Sequence, residues 1–153
     1  MDSQTLILQN EAETAAIAEK LASVLRAQHQ FSFKLYLSGD LGAGKTTFSK
    51  YFLKALGIAE TVKSPTYTII ESYETPELVV DHIDLYRIYE EDLYDLGFLE
   101  NDQGMWLIEW PEKGGESLPE PDLLLVLERK DELVMSMLPK SSTGQHVLAS
   151  LNI

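Results

Sequence analysis

Cysteine is absent from the 153-residue chain, which excludes disulfides, thiolate nucleophiles and sulfur-ligated zinc, and fits a reducing compartment. Histidine is scarce: His29, His82 and His146 are far apart and no HExxH pair exists, so a histidine-built metal site has no support. Long apolar runs are missing too. The longest aliphatic stretch, Leu123 to Leu127, cannot span a bilayer, and MDSQTLILQNEAE at the start has neither a basic opening nor an apolar stretch. A cytoplasmic protein without membrane contact is the expectation.

Basic residues are few, 12 Lys and Arg against 25 Asp and Glu, for a net charge of −13. The imbalance is local: residues 1–70 sum to +1, residues 71–120 to −13, and residues 121–153 to −1. Such a surface repels phosphate backbones, so autonomous binding to nucleic acid is not expected. It reads as a solvated acidic face, a docking face for a basic partner, or a site that needs a cation. At 17.2 kDa with 44% hydrophobic and 24% charged residues, the composition is that of one ordinary globular domain over 1–153.

Apolar residues Ile17, Leu21, Val24 and Leu25 recur at helical spacing from Asn10 to about Gln28, with Asn10 and Glu13 as a capping pair. Phe31, Phe33, Leu35 and Leu37 alternate as in a strand, and Phe48, Phe52, Ala55 and Leu56 mark a second helix stopped by Gly57. Strands are expected at about 67–73, 78–85 and 105–110, and a short acidic helix at 89–97. A hairpin turning near Lys130 and Asp131 should follow, then a loose tail from about 140 with a short helix near its end.

Between the first strand and the second helix stands SGDLGAGKTT, in which Gly39, Gly44, Lys45 and Thr46 match GxxxxGK[ST]. In that context the spacing turns the amides of Asp40, Leu41, Gly42, Ala43, Gly44, Lys45, Thr46 and Thr47 inward around a polyphosphate. Gly42 and Gly44 permit the close approach. The following helix N-terminus adds partial positive charge, Lys45 reaches the β and γ phosphates, and the Thr46 hydroxyl ligates Mg²⁺. Carboxylates must orient that metal. Asp81, Asp84 and Glu109 end apolar strands, and pattern alone does not rank them; on a strand His82 and Asp84 share one face while Asp81 takes the other. Thr66 in SPTY reads either as a switch threonine near the γ phosphate or as plain loop. The missing NKxD segment favours adenine over guanine, and Trp110, before Pro111, is the more accessible tryptophan.

The succession GDLGAGKTT, SPTY, HIDLYR (82–87), IEWPEK (108–113) and LPEPD (118–122) resembles the TsaE family, formerly YjeE, over nearly the whole chain. The resemblance implies an α/β fold of P-loop NTPase type, three-layered around a mixed parallel and antiparallel sheet. It also implies an ATPase, weak alone, that serves threonylcarbamoyladenosine modification of tRNA beside the anticodon by driving a cycle of TsaD and TsaB. ATP with Mg²⁺ would be bound, and tRNA met only through the complex. Carried onto this chain, Lys45, Asp84 and Glu109 are catalytic, Thr46 and Glu109 hold the metal, Thr14 contacts nucleotide, and Trp110 follows the metal-binding Glu. The C-terminal turn, ERKDEL, lacks the glycine that precedes the family's arginine, which leaves Arg129 and Lys130 without an assigned role. Arg87 offers charge in cis or pairs with an acid. Two rivals share the cradle: a nucleotide-gated adaptor that scarcely hydrolyses, and a small-molecule kinase, which the shortage of basic residues disfavours.

Overall fold

A computed structural model describes residues 2–40, 42–58 and 70–153; Leu41 and the SPTY segment with Thr66 lie outside the described residues. In chain order the elements are β1 (Gln4–Leu8), α1 (Glu11–Ala27), β2 (Lys34–Gly39), α2 (Lys45–Ala55), β3 (Ile70–Glu74), β4 (Val79–Asp84), β5 (Met105–Glu109), β6 (Leu123–Arg129), β7 (Leu133–Pro139) and α3 (Ser142–Leu151). Short 3-10 turns occupy Glu90–Leu96, Phe98–Glu100 and Pro111–Ser117.

The strands form one mixed sheet of seven in the order β1-β7-β6-β2-β5-β4-β3. Its centre, β6-β2-β5-β4, is parallel; β3 closes one edge antiparallel to β4, β7 extends the other antiparallel to β6, and β1 closes it antiparallel to β7. Parallel strands are buried on both faces, and period-two alternation divides their side chains between two cores. Leu35, Leu37, Val80, Met105 and Leu107 join the helices in one core, while Tyr36, Ile83, Trp106 and Ile108 meet Leu85, Leu93 and Phe98 in the other. The 3-10 turns therefore stand in for helices as the third layer.

Most expected elements are present within a few residues, and the differences have causes. The helix cap is staggered: Asn10 accepts from the Glu13 amide at 3.0 Å, but the Glu13 carboxylate reaches past it to the Gln9 amide at 2.6 Å. The acidic helix at 89–97 is a 3-10 turn, ended by Gly97 at φ 78°. Strand β1 was not expected. The tail is not loose from residue 140: Ser141 caps α3 by accepting from Gly144 N–H at 3.0 Å and donates to Asp122 at 2.7 Å. Val147, Leu148 and Leu151 then bury in the main core.

Candidate functional site

The loop after β2 is shaped by backbone that only glycine tolerates. Gly39 has φ 144°, and a Cβ there would lie 2.2 Å from the Leu127 carbonyl oxygen on β6. Gly42 and Gly44 are also left-handed, at φ 77° and 103°. Within the loop the Ala43 amide donates to the Asp40 carbonyl at 3.1 Å. Helix α2 then starts at Lys45 with Gly44 as its N-cap, no capping side chain and no acid in its first turn. Its leading amides and the positive end of its dipole are thus left for the concavity of the loop. Phe48, Phe52 and Leu53, wholly buried, fix the helix behind it.

Opposite the loop, β4 and β5 run parallel with Asp84 paired to Glu109. Alternation puts His82, Asp84 and Glu109 on the face of α2. Asp81 points the other way and accepts from Ser72 Oγ at 2.6 Å, which removes it from the site. The register thereby settles what strand pattern leaves open. A cleft of about 420 Å³ lies between loop and acids, lined by Gly42, Gly44, Lys45, Thr46, Thr47, Asp84, Tyr86, Arg87, Glu109 and Trp110.

Lys45 is the buried cation of the two, with Arg87, that line the cleft. Its Nζ donates to the Gly39 carbonyl and, at 3.0 Å, to that of Asp40, and lies 4.4 Å from the centre of the Trp110 ring. Burial lowers its pKa, against the pull of Glu109, Glu112, Asp84 and Asp40. Burial raises that of Asp84, as does Glu109 beside it, while the Tyr86 amide, donating to Oδ1 at 2.9 Å, His82 and Lys45 act the other way. Glu109 is buried, and its Oε2 meets His82 Nε2 at 2.7 Å and Ser49 Oγ at 3.5 Å.

Trp110 leaves the strand in the left-handed region, at φ 59° and ψ 49°. This turn breaks the alternation that buries Trp106 and presents the Trp110 indole to Lys45 and, at 4.8 Å between centroids, to Tyr86. Arg87 lines the cleft and forms no ion pair among the described residues. Thr14, buried on α1, does not reach this cleft. It lines a neighbouring cavity of about 170 Å³ together with Asn10, Gly44, Thr47, Arg129 and Leu133. Gly44 and Thr47 border both spaces, so the two flank one loop. Arg129 is brought to Thr14, a placement that sequence reasoning left unassigned.

Three contributors escaped the sequence: His82 and Ser49, which touch Glu109, and Tyr86, which touches Trp110. A signal existed only for His82, on the strand face of Asp84. Asp40 contributes its carbonyl to Lys45 and keeps its side chain exposed. Among the described residues no three His, Asp or Glu side chains converge on a point. The donors facing the cleft, the Thr46 hydroxyl and the Asp84 and Glu109 carboxylates, are hard oxygens. They suit a Mg²⁺ ion that takes one or two protein ligands and completes its shell with phosphate oxygens and water.

Comparison with known proteins bears on the fold and the family. Residues 8–136 match the family model described as threonylcarbamoyl adenosine biosynthesis protein TsaE. A Haemophilus influenzae protein named tRNA threonylcarbamoyladenosine biosynthesis protein TsaE is 34% identical over 99% of this chain and 99% of its own length. The Bacillus subtilis protein of the same name is 43% identical over 78% of this chain and 74% of its own. The crystal structure of Bacillus subtilis YdiB superposes with a TM-score of 0.79 at 31% identity, covering 99% of this chain and 95% of that one.

Proposed function

The chain belongs to the TsaE family, and on that premise we propose that it binds ATP with Mg²⁺ at the Gly39–Thr47 loop and hydrolyses it in the service of tRNA threonylcarbamoyladenosine modification. Its curated relatives carry that modification pathway in their names. The observation that carries the ATPase reading is the register of Asp84 with Glu109 across one cleft from Lys45 and the glycine loop. A cradle alone binds phosphate; acids at adjacent strand ends facing it supply what hydrolysis needs.

Lys45 would turn its ammonium from the Gly39 and Asp40 carbonyls to the β and γ phosphates, a short swing on a four-carbon stem. Thr46 and Glu109 would hold the metal. When bound, Mg²⁺ neutralises phosphate charge as it shifts toward the leaving group. Asp84 orients the attacking water and takes the proton it sheds: the water oxygen bonds to the γ phosphorus, the bond to the β–γ bridging oxygen breaks, and ADP leaves with the electron pair. Arg87 supplies further positive charge. Thr47 borders both cavities, so the nucleoside end extends toward Thr14 and Arg129. Catalysis here is positioning and charge neutralisation. The cycle of a cytoplasmic TsaD–TsaB complex is its output, with tRNA met through those partners.

Phosphate release from ATP, followed in a single turnover with the protein alone and then with TsaD and TsaB, tests the reading. Slow release alone that quickens with the partners is expected. Tight ATP binding with no release in either case would leave a nucleotide-gated adaptor, and release that requires an added small-molecule acceptor would make it a kinase.

A further inference from the structure

His82 is the most deeply enclosed ionisable side chain near the cleft, 1% exposed against 5% for the Glu109 side chain it touches. Nothing in the phosphate chemistry above uses it. It lies two residues before Asp84 on β4, pairs across the sheet with Leu107, and reaches diagonally to the end of β5. Its Nε2 is 2.7 Å from Glu109 Oε2, a short contact for a nitrogen donor, whereas Ser49 Oγ at 3.5 Å stands at the limit of a hydrogen bond. The other ring nitrogen, Nδ1, is buried and has no partner among the described residues. An Nε2 without a proton would set two acceptors 2.7 Å apart and leave Nδ1 a buried donor with no acceptor among the described residues, so Nε2 carries a proton and donates it to the carboxylate.

We propose that His82 is a positioning residue that holds Glu109 by one carboxylate oxygen and so presents the other to the magnesium ion of the bound nucleotide. The inference rests on the reading of Glu109 as a metal ligand. Lys45 attracts Glu109 across the cleft, and Asp84, at the adjacent strand end, repels it. An unanchored carboxylate would follow that pull toward Lys45 and leave the place where the metal is needed. His82 prevents this from below, out of reach of solvent. Partners behind a metal ligand commonly set its orientation in this way.

Binding of a fluorescent ATP analogue, measured in EDTA and then across a magnesium chloride titration, separates this role from a merely structural one. In His82→Leu, which keeps the bulk and loses the donor, the magnesium concentration for half-maximal effect should rise about 10- to 100-fold, with affinity in EDTA unchanged. His82→Gln, whose amide can donate to Oε2, should recover much of the loss, and His82→Leu should add nothing to Glu109→Gln. A magnesium midpoint unchanged in His82→Leu would overturn the proposal, as would an equal loss in EDTA or a Gln variant as poor as Leu. Should the Leu variant fail to fold, the Gln variant and the nitrogen-15 spectrum of the wild-type imidazole decide, and an Nε2 found without a proton refutes the assignment. A wild-type protein whose nucleotide affinity ignores magnesium would instead defeat the ATPase site itself, a different and recognisable failure.

Discussion

The same pair of side chains occurs at both ends of the central parallel strands. At the amino ends Lys34 lies 4.4 Å from the Trp106 ring, and at the carboxyl ends Lys45 lies 4.4 Å from the Trp110 ring. Each ammonium donates to two main-chain carbonyls, those of Asp102 and Gly104 for Lys34 and of Gly39 and Asp40 for Lys45. Burial lowers both pKa values against nearby acids. Chemistry of the pair therefore does not distinguish a staple from a site. The surroundings do. Trp106 is 1% exposed, with Phe98 edge-on to its ring and its Nε1–H donated to the Asn101 carbonyl, so nothing can enter. Trp110 stands over a cleft of about 420 Å³ walled by glycine backbone and two carboxylates. Ligands in parallel sheets collect at the carboxyl ends of strands, where loops are free to open and helix N-termini point inward.

The sharpest way to break this comparison is to remove each ammonium. Lys45→Ala should lower ATP affinity by roughly 100-fold, the scale of one or two lost charge-assisted bonds to phosphate, while thermal stability stays near wild type. Lys34→Ala should do the reverse, leaving nucleotide affinity intact and costing about 1–2 kcal/mol of stability through two orphaned carbonyl contacts and a lost cation–π contact. Calorimetric titration and urea melts on both variants check this, and a Lys45→Ala protein that binds ATP normally would make both lysines staples.

Asp81 and Asp84 offer a second contrast, three residues apart on one strand. Asp84→Asn should slow phosphate release by about 100-fold, the loss expected when a positioned acid–base group is removed. Its melting temperature should hold or rise, because burial and Glu109 make the charged form of Asp84 unfavourable in the fold. Asp81→Asn weakens the bond from Ser72 and removes one of the acids that act on Lys34, and should cost about 1 kcal/mol with hydrolysis preserved. Single-turnover hydrolysis beside melting curves distinguishes them; equal effects of the two variants would mean that strand face does not select the catalytic acid.

What was legible in the sequence followed the range of the interactions involved. The glycine loop was readable because its motif residues stand within one decapeptide, though the need for Gly39 also comes from Leu127 on β6, and the hairpin of β6 and β7 because its strands are neighbours in the chain. Alternation placed His82 and Asp84 on one face, but which face looks at the loop is fixed by pairing of β4 with β5 and of β5 with β2. No local pattern contains that. Strand β1 is held by pairing with β7, so five residues at the start depend on a partner near the other end. The order of the tail is equally remote in origin: Gly144 approaches the Asp122 carbonyl so closely that a Cβ would lie 1.8 Å from it. Trp110 turned out of the strand through a left-handed residue, a conformation that tryptophan does not advertise.

Tyr36, on β2 between Lys34 and the loop that leads to Lys45, gives the smallest and most selective test of how their ends are joined. Its side chain leaves the sheet on the face opposite α2 and donates its hydroxyl to the Pro119 carbonyl at 2.7 Å. Burial, reinforced by Glu120 and Asp122, pushes the phenol's pKa well above its ordinary value near 10. As pH rises past that ordinary value, the unfolded chain sheds the proton while the folded chain retains it. The unfolded state then binds fewer protons, and stability declines with pH. Tyr36→Phe lacks this proton and should begin about 1 kcal/mol less stable at pH 8, from the lost hydrogen bond, yet decline less steeply above pH ~10. Urea midpoints of the two proteins, apart at pH 8, should therefore converge above pH ~10, with ATP affinity at pH 8 unchanged because the hydroxyl faces away from the cleft. A Phe variant that binds ATP poorly would show that the two faces of β2 are mechanically joined, and the division between staple and site would have to be redrawn along the strand.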